Sequence, residues 1–329
     1  MPESNPSVAA PASHPPKISV LIPTYNYARY LPEAIESVLE QDFADYELLI
    51  ADDCSTDESR EIIRRYAARD GRIQCQFHPA NLGMVQNWNY CLQRARGEYV
   101  QFLFGDDKFA SREALGKMAR MLDENPAAVL ALAARNIIDE NSRILEVAAH
   151  LGKSGCHVGL GVIGRCLEQN ANLVGEPSVV MFRRRDGTRG FSKEYRQIPD
   201  LEMWFHLLEK GDAVYTSELL YSFRKHARQQ TEVNRVTQIG LREHLLLLAE
   251  YFEHPKLRER VSRKLLFTQI YWLRKKGDGS MISRELESRM MQSLGKGWYA
   301  WHFVLRKLCR PFTNARHFYR KHVLRGSMR

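Results

Sequence analysis

Short apolar runs and helically spaced apolar positions alternate along the first hundred residues of the chain. A short apolar run bounded by turn residues predicts a buried strand, and apolar positions every three or four residues predict a helix. Helical spacing follows each of the first three runs, and the four runs cover residues 17–23, 46–51, 72–77 and 99–104. Strands that alternate with helices form a parallel sheet through right-handed crossovers. The pattern therefore predicts an α/β fold with a mostly parallel sheet and flanking helices.

Polar residues follow three of these strands, at the point where each strand ends. Pro23–Asn26 follows the first strand, Asp52–Asp53 the second and Gly105–Asp107 the fourth. Open α/β sheets bind ligands at the carboxyl ends of their strands, so we expect these groups to converge. Adjacent carboxylates repel, and a hard divalent cation relieves the repulsion. The sequence predicts a ligand site at this edge, although Pro23 alone could simply end a strand and Asp52 could simply cap a helix.

The first of these polar turns lacks the glycines of a phosphate-binding loop. Pro23-Thr24-Tyr25-Asn26 matches neither Gly-x-Gly-x-x-Gly nor Gly-Lys-Ser/Thr. A loop that wraps its backbone around a diphosphate is therefore not expected after the first strand. A metal held by Asp107 is expected to supply the counter-charge instead.

The later apolar pattern predicts further elements and one acidic helix start. Helices are expected at 111–123 and 158–169, strands at 129–136, 178–183 and 213–223, and a loop or hairpin at 137–154. Pro199-Asp200-Leu201-Glu202 predicts the first turn of a helix, where the helix dipole favours negative side chains. Asp200 is therefore either a helix cap or a functional acid near the predicted cleft.

Composition sets the broad class of the protein. The chain has 329 residues and 44% hydrophobic content, enough for one large domain plus an appendage or for two domains. Six scattered cysteines without a Cys-x-x-Cys pair indicate buried thiols in a reducing compartment. Residues 1–16 predict a disordered tail, and no apolar run approaches the length of about 18 residues that a membrane span needs. We expect a cytoplasmic protein with domains at 17–237 and 238–329.

Charge is distributed unevenly along the chain. The net charge is +9, and residues 241–329 alone carry 20 Lys and Arg against seven Asp and Glu. From Arg289 onward there are ten basic residues, no acidic one and several aromatic residues. Such an end fits docking to an anionic membrane surface, and it fits equally a solvated helix that completes a helical subdomain. Nucleic acid is not the expected partner.

Four motifs resemble, in order and spacing, those of the family 2 glycosyltransferases, which have the GT-A fold. The resemblance covers roughly residues 17–230 and rests on Ile18–Asn26, Ala51–Asp57, Asn81–Gly83 with Asn87, and Gly97–Asp107. It implies a Rossmann-like, mostly parallel sheet, followed in this chain by a C-terminal helical extension. One position departs from the family's pattern, since Phe104 stands where a first Asp often precedes the final pair. A metal would then rest mainly on Asp107.

The resemblance implies a role for each matched residue of a donor site. Asp53 would accept a hydrogen bond from the nucleotide base, and Asp106 would contact the ribose or the sugar. Asp107 would ligate Mg2+ or Mn2+ bridging the donor diphosphate, and His226 would be a metal ligand or a diphosphate contact. The remaining nucleotide-sugar residues that the resemblance implies are Pro23, Thr24, Tyr25, Asn26 and Asn87.

Asp200 resembles the family's acidic residue that deprotonates the acceptor hydroxyl. The family often has a Glu immediately before this residue, and this chain has Pro199 there. The acidic pair is therefore incomplete, and Glu202 is the second candidate for the base.

The resemblance implies an inverting, metal-dependent glycosyltransferase of cell-surface polysaccharide or lipopolysaccharide assembly. The donor would be a UDP-, dTDP- or GDP-sugar, and the acceptor a saccharide or a lipid-linked molecule. Its expected location is the cytoplasm, including the inner face of the cell membrane. Two alternatives stay open. One is a sugar nucleotidyltransferase, which would normally show a glycine-rich basic loop after the first strand. The other is a non-catalytic scaffold whose basic end binds membrane or nucleic acid.

Overall fold

A computed structural model of the protein describes residues 14–227, 229, 239–257 and 297. The chain divides into two units, Met1–Gly240 and Leu241–Arg329, and the sheet lies in the first. Within the described residues, no helix combines the length and the apolar character that crossing a membrane demands. Most of the predicted N-terminal tail and nearly all of the basic end that begins at Arg289 lie outside the described residues.

Ten strands and seven helices make up the described part of the chain. The strands are β1 (Ile18–Thr24), β2 (Tyr46–Asp52), β3 (Ile73–Phe77), β4 (Tyr99–Phe102), β5 (Lys108–Phe109), β6 (Ala128–Ile138), β7 (Ile144–Ala148), β8 (Gly155–His157), β9 (Val180–Arg183) and β10 (Asp212–Arg224). The helices are α1 (Leu31–Leu39), α2 (Ser59–Ala67), α3 (Met84–Arg94), α4 (Ala114–Glu124), α5 (Gly159–Gln169), α6 (Pro199–Leu208) and α7 (Ile239–Glu253), with a 3-10 turn at Pro177–Val179.

All ten strands belong to one sheet. The order along its main path is β3-β2-β1-β4-β9-β6-β10-β5, with β7 beside β6 and β8 beside β10. Strands β3, β2, β1 and β4 run parallel, and Ile18 lies opposite both Tyr46 and Tyr99. Strand β9 is antiparallel to both β4 and β6, while β6 and β10 are again parallel. The predicted α/β fold with a mostly parallel sheet is confirmed.

The core holds the carboxyl edge of the parallel strands in place. Every residue of β1 and β2 is buried, as expected for strands of a sheet that is covered on both faces. Helix α1 buries the apolar residues that recur at helical spacing in the sequence. Aromatic side chains from α3, β4, β9, α6 and the segment between β9 and α6 contact one another; they are Trp88, Phe102, Phe182, Trp204 and Phe191.

The end of strand β4 differs from the sequence prediction. Strand β4 ends at Phe102 rather than at residue 104, because the Phe104 N–H donates to the Ser178 hydroxyl (3.0 Å) and leaves the sheet. The segment 137–154, predicted as a loop or a hairpin, contains the hairpin between β6 and β7. Both features turn the chain at the edge where β1, β2 and β4 end.

Candidate active site

Asp106 and Asp107 lie between β4 and β5, in the loop that we call the acid loop (Gly105–Asp107). Both residues are buried, with 4% and 1% of their surface exposed. Asp107 accepts hydrogen bonds from the Ser178 hydroxyl and from the Arg224 N–H (2.9 Å). The Asp106 carboxylate faces His226 Nε2 at 3.0 Å. The acid loop is therefore held between the 3-10 turn and the end of β10.

Gly105 lets the acid loop approach the end of β1. A Cβ at this position would lie 2.8 Å from Thr24 Oγ1 and 3.3 Å from the Tyr27 ring, closer than side chains normally pack. The buried Thr24 hydroxyl has no hydrogen-bond partner within the described part of the chain. Thr24 therefore brings an unsatisfied polar group next to the two acids, at the position predicted to contact the donor.

The two acids of the loop share a poorly compensated negative charge. Burial and the charge of Asp106 raise the pKa of Asp107 well above its usual range. The Arg224 guanidinium donates to the Asp106 backbone oxygen (2.7 Å) rather than to the carboxylate of either acid in the loop. Burial, together with the charges of both acids, also raises the pKa of the Tyr27 hydroxyl. A divalent cation would relieve this charge.

The donor set of the acid loop fits a cation that is shared with a substrate. Among the residues that the structure describes, no three His, Cys, Asp or Glu side chains group as a metal site. Mg2+ is commonly held by one or two carboxylates together with substrate phosphates and water. Asp107 and Asp106 match that arrangement, with the remaining oxygens left to a bound phosphate.

His226 lies beside Asp106 rather than beside Asp107. Its side chain is 3% exposed, and the Tyr27 and Tyr30 rings lie 5.9 and 4.9 Å from its ring centre. The structure thus brings the predicted histidine to the acid pair through Asp106. A direct contact of His226 with a metal stays a prediction.

Arg224 is a residue of this site to which the sequence analysis assigned no role. It is fully buried, and its guanidinium contacts Glu33 (3.2 Å), the Asp139 carbonyl (3.1 Å) and the Ser142 hydroxyl (2.9 Å). Burial alone would raise the pKa of Glu33, but hydrogen bonds from neighbouring side chains and the Arg224 charge lower it to about 2. Arg224 therefore fixes the acid loop to helix α1 and to the turn between β6 and β7. The sequence feature that could have indicated Arg224 is its position two residues before the predicted site residue His226.

Asp53 organises the loop that precedes α3. Its carboxylate accepts hydrogen bonds from the backbone N–H groups of Leu82 (2.7 Å) and Gly83 (2.9 Å). Its carbonyl accepts one from the Asn81 amide (3.0 Å). Asp53 is 3% exposed, so its first task is to shape this loop. The hydrogen bond from the nucleotide base that was predicted for Asp53 would use the remaining lone pairs of the same carboxylate.

The segment Pro23–Asn26 carries the chain from the buried end of β1 to the surface. The Asn26 N–H donates to the Ser55 hydroxyl (2.9 Å), and its side-chain oxygen accepts from the Thr56 N–H (2.8 Å). Helix α2, which follows Ser55 and Thr56, begins without a side-chain cap. Tyr25 is 45% exposed. Its ring is therefore accessible to a ligand.

Asn87 and Asp52 are engaged inside the protein. The buried Asn87 amide donates to the Ala51 carbonyl (3.0 Å), and its oxygen lies 3.1 Å from His78 Nε2. Asp52 pairs with Arg60 (2.7 Å). Both side chains therefore brace the end of β2, and a donor contact by Asn87 would compete with these bonds.

Asp200 lies in the first turn of α6 and is half-buried. Its carboxylate accepts a hydrogen bond from the Asn172 amide (3.0 Å). Burial raises the pKa of Asp200 to about 7, the Leu201 N–H opposes the rise, and the charge of Glu176 adds to it. A carboxyl group that exchanges its proton near neutral pH is suited to general base catalysis.

The segment 172–178 is hydrogen-bonded both to Asp107 of the acid loop and to Asp200 of α6. At one end Asn172 holds Asp200, and at the other end Ser178 holds Asp107. Trp204 of α6 donates from its ring nitrogen to the Gly175 carbonyl in the middle of the segment (2.9 Å). Asp107 and Asp200 are therefore tied to one short, well-braced stretch of chain.

Glu176 and Arg135 are further residues of this region that the sequence did not indicate. Arg135 Nε lies 2.7 Å from a Glu176 oxygen, and the Arg135 side chain is 6% exposed. The charge of Glu176 raises the pKa of both Asp107 and Asp200, so it lies within electrostatic reach of both acids. No sequence pattern marks either residue, because Arg135 lies within the buried strand β6 and Glu176 lies in an irregular segment.

Glu202, the second candidate for the base, is already paired. Its two oxygens accept hydrogen bonds from Arg189 at 2.6 and 2.7 Å, and the residue is 8% exposed. Asp200 is therefore the better placed of the two acids.

A mixed α/β sheet of this kind, with acids at the carboxyl edge of its parallel strands, is the architecture of the GT-A glycosyltransferases. The family model described as glycosyl transferase family 2 matches residues 19–196. The chain therefore belongs to glycosyltransferase family 2, and the resemblance identified from its motifs is confirmed. It is a glycosyltransferase.

Two bacterial relatives illustrate the match in sequence. One is TuaG of Bacillus subtilis, whose name assigns it to teichuronic acid biosynthesis. It is 30% identical over 210 residues, which cover 64% of this chain and 79% of TuaG. The other is the poly(ribitol-phosphate) beta-N-acetylglucosaminyltransferase TarS of Staphylococcus aureus, 32% identical over 123 residues, 37% of this chain and 21% of TarS.

Two solved structures share the fold. Residues 1–349 of S. aureus TarS in complex with UDP-GlcNAc align with a TM-score of 0.60 and 20% identity, covering 85% of this chain and 80% of that one. The mannosyltransferase PcManGT of Pyrobaculum calidifontis, in complex with GDP-Man and Mn2+, aligns with a TM-score of 0.56 and 16% identity, covering 90% and 86%. The predicted GT-A fold is confirmed.

Proposed function

We propose that this glycosyltransferase moves a sugar from a nucleotide-diphosphate sugar to an acceptor hydroxyl, with inversion at the anomeric carbon. The observation that carries the proposal is the bridging segment 172–178, which bonds Asp107 through Ser178 and Asp200 through Asn172. Asp107 belongs to a pair of adjacent carboxylates, which suits the binding of a cation. Asp200 has no adjacent acid, which suits the transfer of a proton.

On the donor side, Asp107 and Asp106 would hold Mg2+ or Mn2+, and the exposed Tyr25 ring would contact the nucleotide. When bound, the cation stabilises the negative charge of the departing nucleoside diphosphate. The buried and unsatisfied Thr24 hydroxyl supports a ligand contact at this edge. The UDP-GlcNAc in TarS and the GDP-Man and Mn2+ in PcManGT support a donor of this class. The choice among UDP-, dTDP- and GDP-sugars stays open.

On the acceptor side, Asp200 takes the proton of the hydroxyl that attacks. The acceptor oxygen forms its bond to the anomeric carbon while the bond from that carbon to the diphosphate oxygen breaks. Because attack and departure take place on opposite faces of the carbon, a single displacement inverts the configuration. Asn172 orients Asp200, and a pKa near 7 makes the carboxylate an effective base at neutral pH.

The acceptor would be a saccharide of a cell-surface polysaccharide, free or linked to a lipid. The names of TuaG and TarS, which refer to teichuronic acid and to poly(ribitol phosphate), support this class. The reaction would take place on the cytoplasmic side. Docking of the basic end beyond Arg289 to an anionic membrane surface belongs to the same proposal.

Calorimetry of nucleoside diphosphates tests the donor site. UDP, dTDP and GDP are titrated with Mn2+ into the full-length protein, and one of them should bind only when the metal is present. Asp107→Asn keeps the shape of the side chain and should abolish that metal-dependent binding. Asp123→Asn is the matched control, because Asp123 binds Lys17 and the Tyr99 hydroxyl away from the site.

Undiminished binding of the nucleotide by Asp107→Asn with Mn2+ would refute the metal assignment. Release of pyrophosphate from a nucleoside triphosphate and a sugar phosphate would instead identify a sugar nucleotidyltransferase.

A further inference from the structure

A groove of about 600 Å3 runs between α3 and the segment that joins β9 to α6. Gln86 and Gln93 lie on the α3 wall, and Arg184, Arg189 and Lys193 lie on the facing wall. None of the residues proposed above for the donor, the cation or proton transfer lines this groove. The groove is therefore a concave surface that the proposed reaction does not use.

Every charged side chain that lines the groove is basic. The charge of Arg189 is matched by Glu202, which binds it through both oxygens. Arg184 and Lys193 are exposed, and neither forms an ion pair within the described part of the chain. Arg184 Nε is bound to the Gly97 carbonyl (2.7 Å), which leaves the terminal nitrogens of its guanidinium for a ligand. The unmatched positive charge indicates an anionic ligand.

The basic wall is built before any ligand binds. Asn89 of α3 accepts a hydrogen bond from the Phe191 N–H (2.8 Å) and donates one to the Phe191 carbonyl (2.8 Å). Gly190 has a φ of +76°, and a Cβ there would lie 2.5 Å from the Asn89 oxygen. The Phe191 ring packs against Trp88 and Phe102. The wall is therefore fixed to α3 at Phe191, whose N–H and carbonyl both bond to Asn89.

Neutral polar side chains complete the lining. Gln86, Gln93 and Thr188 are exposed and line the groove together with the two unmatched cations. Amide and hydroxyl groups both donate and accept, which suits the many hydroxyl groups of a sugar. A ligand that satisfies the whole surface carries both negative charge and hydroxyl groups.

Two residues of the lining are bonded to elements of the proposed active site. Leu82 is one of them, since its N–H donates to the Asp53 carboxylate. The opposite wall continues into α6, where Glu202 binds Arg189 and where Asp200 lies two residues earlier. A chain lying in the groove would thus contact Leu82, which is bonded to Asp53, and Arg189, which is bonded to Glu202 of α6.

We propose that this groove binds an anionic stretch of the acceptor glycan, one whose sugars carry carboxylate or phosphate groups. That the glycan is the acceptor rests on the proposed function, whereas its binding requires no catalysis. Arg184 and Lys193 contact the negative groups, and the glutamines and Thr188 contact the hydroxyl groups.

Calorimetry on the full-length protein without donor tests the groove. The probes are a tetrasaccharide of galacturonic acid and maltotetraose, a neutral sugar chain of equal length. The acidic chain should bind, more weakly as salt increases, and the neutral chain should bind far less. Arg184→Gln with Lys193→Gln should weaken binding of the acidic chain about tenfold, because two charge-assisted contacts are lost.

A matched double variant removes the same charge elsewhere. Arg185→Gln with Lys153→Gln changes two exposed basic residues that do not line the groove, and affinity should stay within about twofold of the original protein. Thermal melting of both double variants checks that each is folded. An equal loss of affinity in the two doubles would show diffuse attraction to a basic chain and would overturn the groove.

Two further results would also overturn the assignment. Equal binding of maltotetraose would remove the role of charge. Tighter binding of a single-stranded DNA of equal charge, lost in the Arg184 and Lys193 double, would make the groove a nucleic-acid site. Because donor binding depends on Asp107, which lies outside the groove, loss of one kind of binding with the other intact shows which proposal has failed.

Discussion

The acid loop and the first turn of α6 both present a carboxyl group whose pKa is raised, yet their surroundings differ in one decisive respect. Asp107 has a second carboxylate as its neighbour in the chain, and burial together with that charge raises its pKa. Asp200 has no adjacent acid in the sequence, and its partner is the neutral Asn172 amide. Burial is the main cause of its pKa of about 7. A doubled negative charge favours a divalent cation, whereas a single, partly buried carboxyl group favours a proton.

The largest effect is expected from removing the proton acceptor alone. Asp200→Asn keeps the shape of the side chain and its bond to Asn172, so metal-dependent donor binding should be unchanged. Turnover should fall by about 10²–10⁴, the range typical for loss of a general base. Steady-state kinetics and calorimetry measure the two effects separately, and a loss of turnover under about tenfold would leave Asp200 as a helix cap.

The next effect concerns the support of the acid loop. Arg224→Met keeps much of the buried volume but removes the bonds to the Asp106 carbonyl, Glu33, Asp139 and Ser142. Unfolding by urea should show a loss of about 2–4 kcal/mol, because a buried hydrogen-bonded charge is removed and polar groups are left unpaired. Affinity for the donor should fall as well. Lys225→Met, an exposed neighbour, is the control and should change stability by no more than about 0.5 kcal/mol.

A smaller effect, of opposite sign, is expected on the free energy of unfolding when Asp200 is replaced. The pKa of Asp200 is about 7 in the folded protein, above the usual value of 3.8, so its ionised form opposes folding. Stability from this group is full below about pH 4 and is lost as pH rises toward 7. Asp200→Asn should therefore raise the free energy of unfolding at pH 8 by about 1–3 kcal/mol and leave it nearly unchanged at pH 4. A destabilised variant at pH 8 would contradict the raised pKa.

The smallest effect is a shift of the pH profile. The rate should rise with pH to a midpoint near 7, since Asp200 must be ionised to accept a proton. Asn172→Ala removes a bond to the carboxylate and should move the midpoint upward, by less than about one unit. Glu176→Gln removes a negative charge that is paired with Arg135, and should move it downward. Equal midpoints in the original protein and in both variants would show that the pH profile does not report the ionisation of Asp200.

Residues at the ends of parallel strands were within reach of sequence reasoning. Asp53, Asp106 and Asp107 each follow an apolar run, and the parallel register brings the ends of those runs to one edge. The same reasoning placed Asp200 in a helix start, because Pro199 and two acids mark a first turn. Local pattern and the rule for parallel sheets were enough for these positions.

Residues that act through long-range contacts were not within reach. Arg224 binds the Asp106 carbonyl from 118 residues away, and Asn172 binds Asp200 from 28 residues away. Glu176 belongs to an irregular segment whose path depends on the Trp204 bond to Gly175. No periodicity marks such partners, because their positions follow from packing of the whole sheet rather than from neighbouring residues.

The hydrogen bond from the Arg224 amide to the Asp107 carboxylate turns a backbone group into a spectroscopic probe. An amide proton that is bonded to a charged acceptor resonates downfield, since the bond is shorter and more polarised than a neutral one. The Phe104 amide is one step removed, because it donates to the Ser178 hydroxyl that in turn donates to Asp107. When a cation draws charge from Asp107, the Arg224 resonance should move upfield and the Phe104 resonance should follow by a smaller amount. Two peaks in a nitrogen-correlated spectrum would then report cation occupancy of the acid loop without any substrate present.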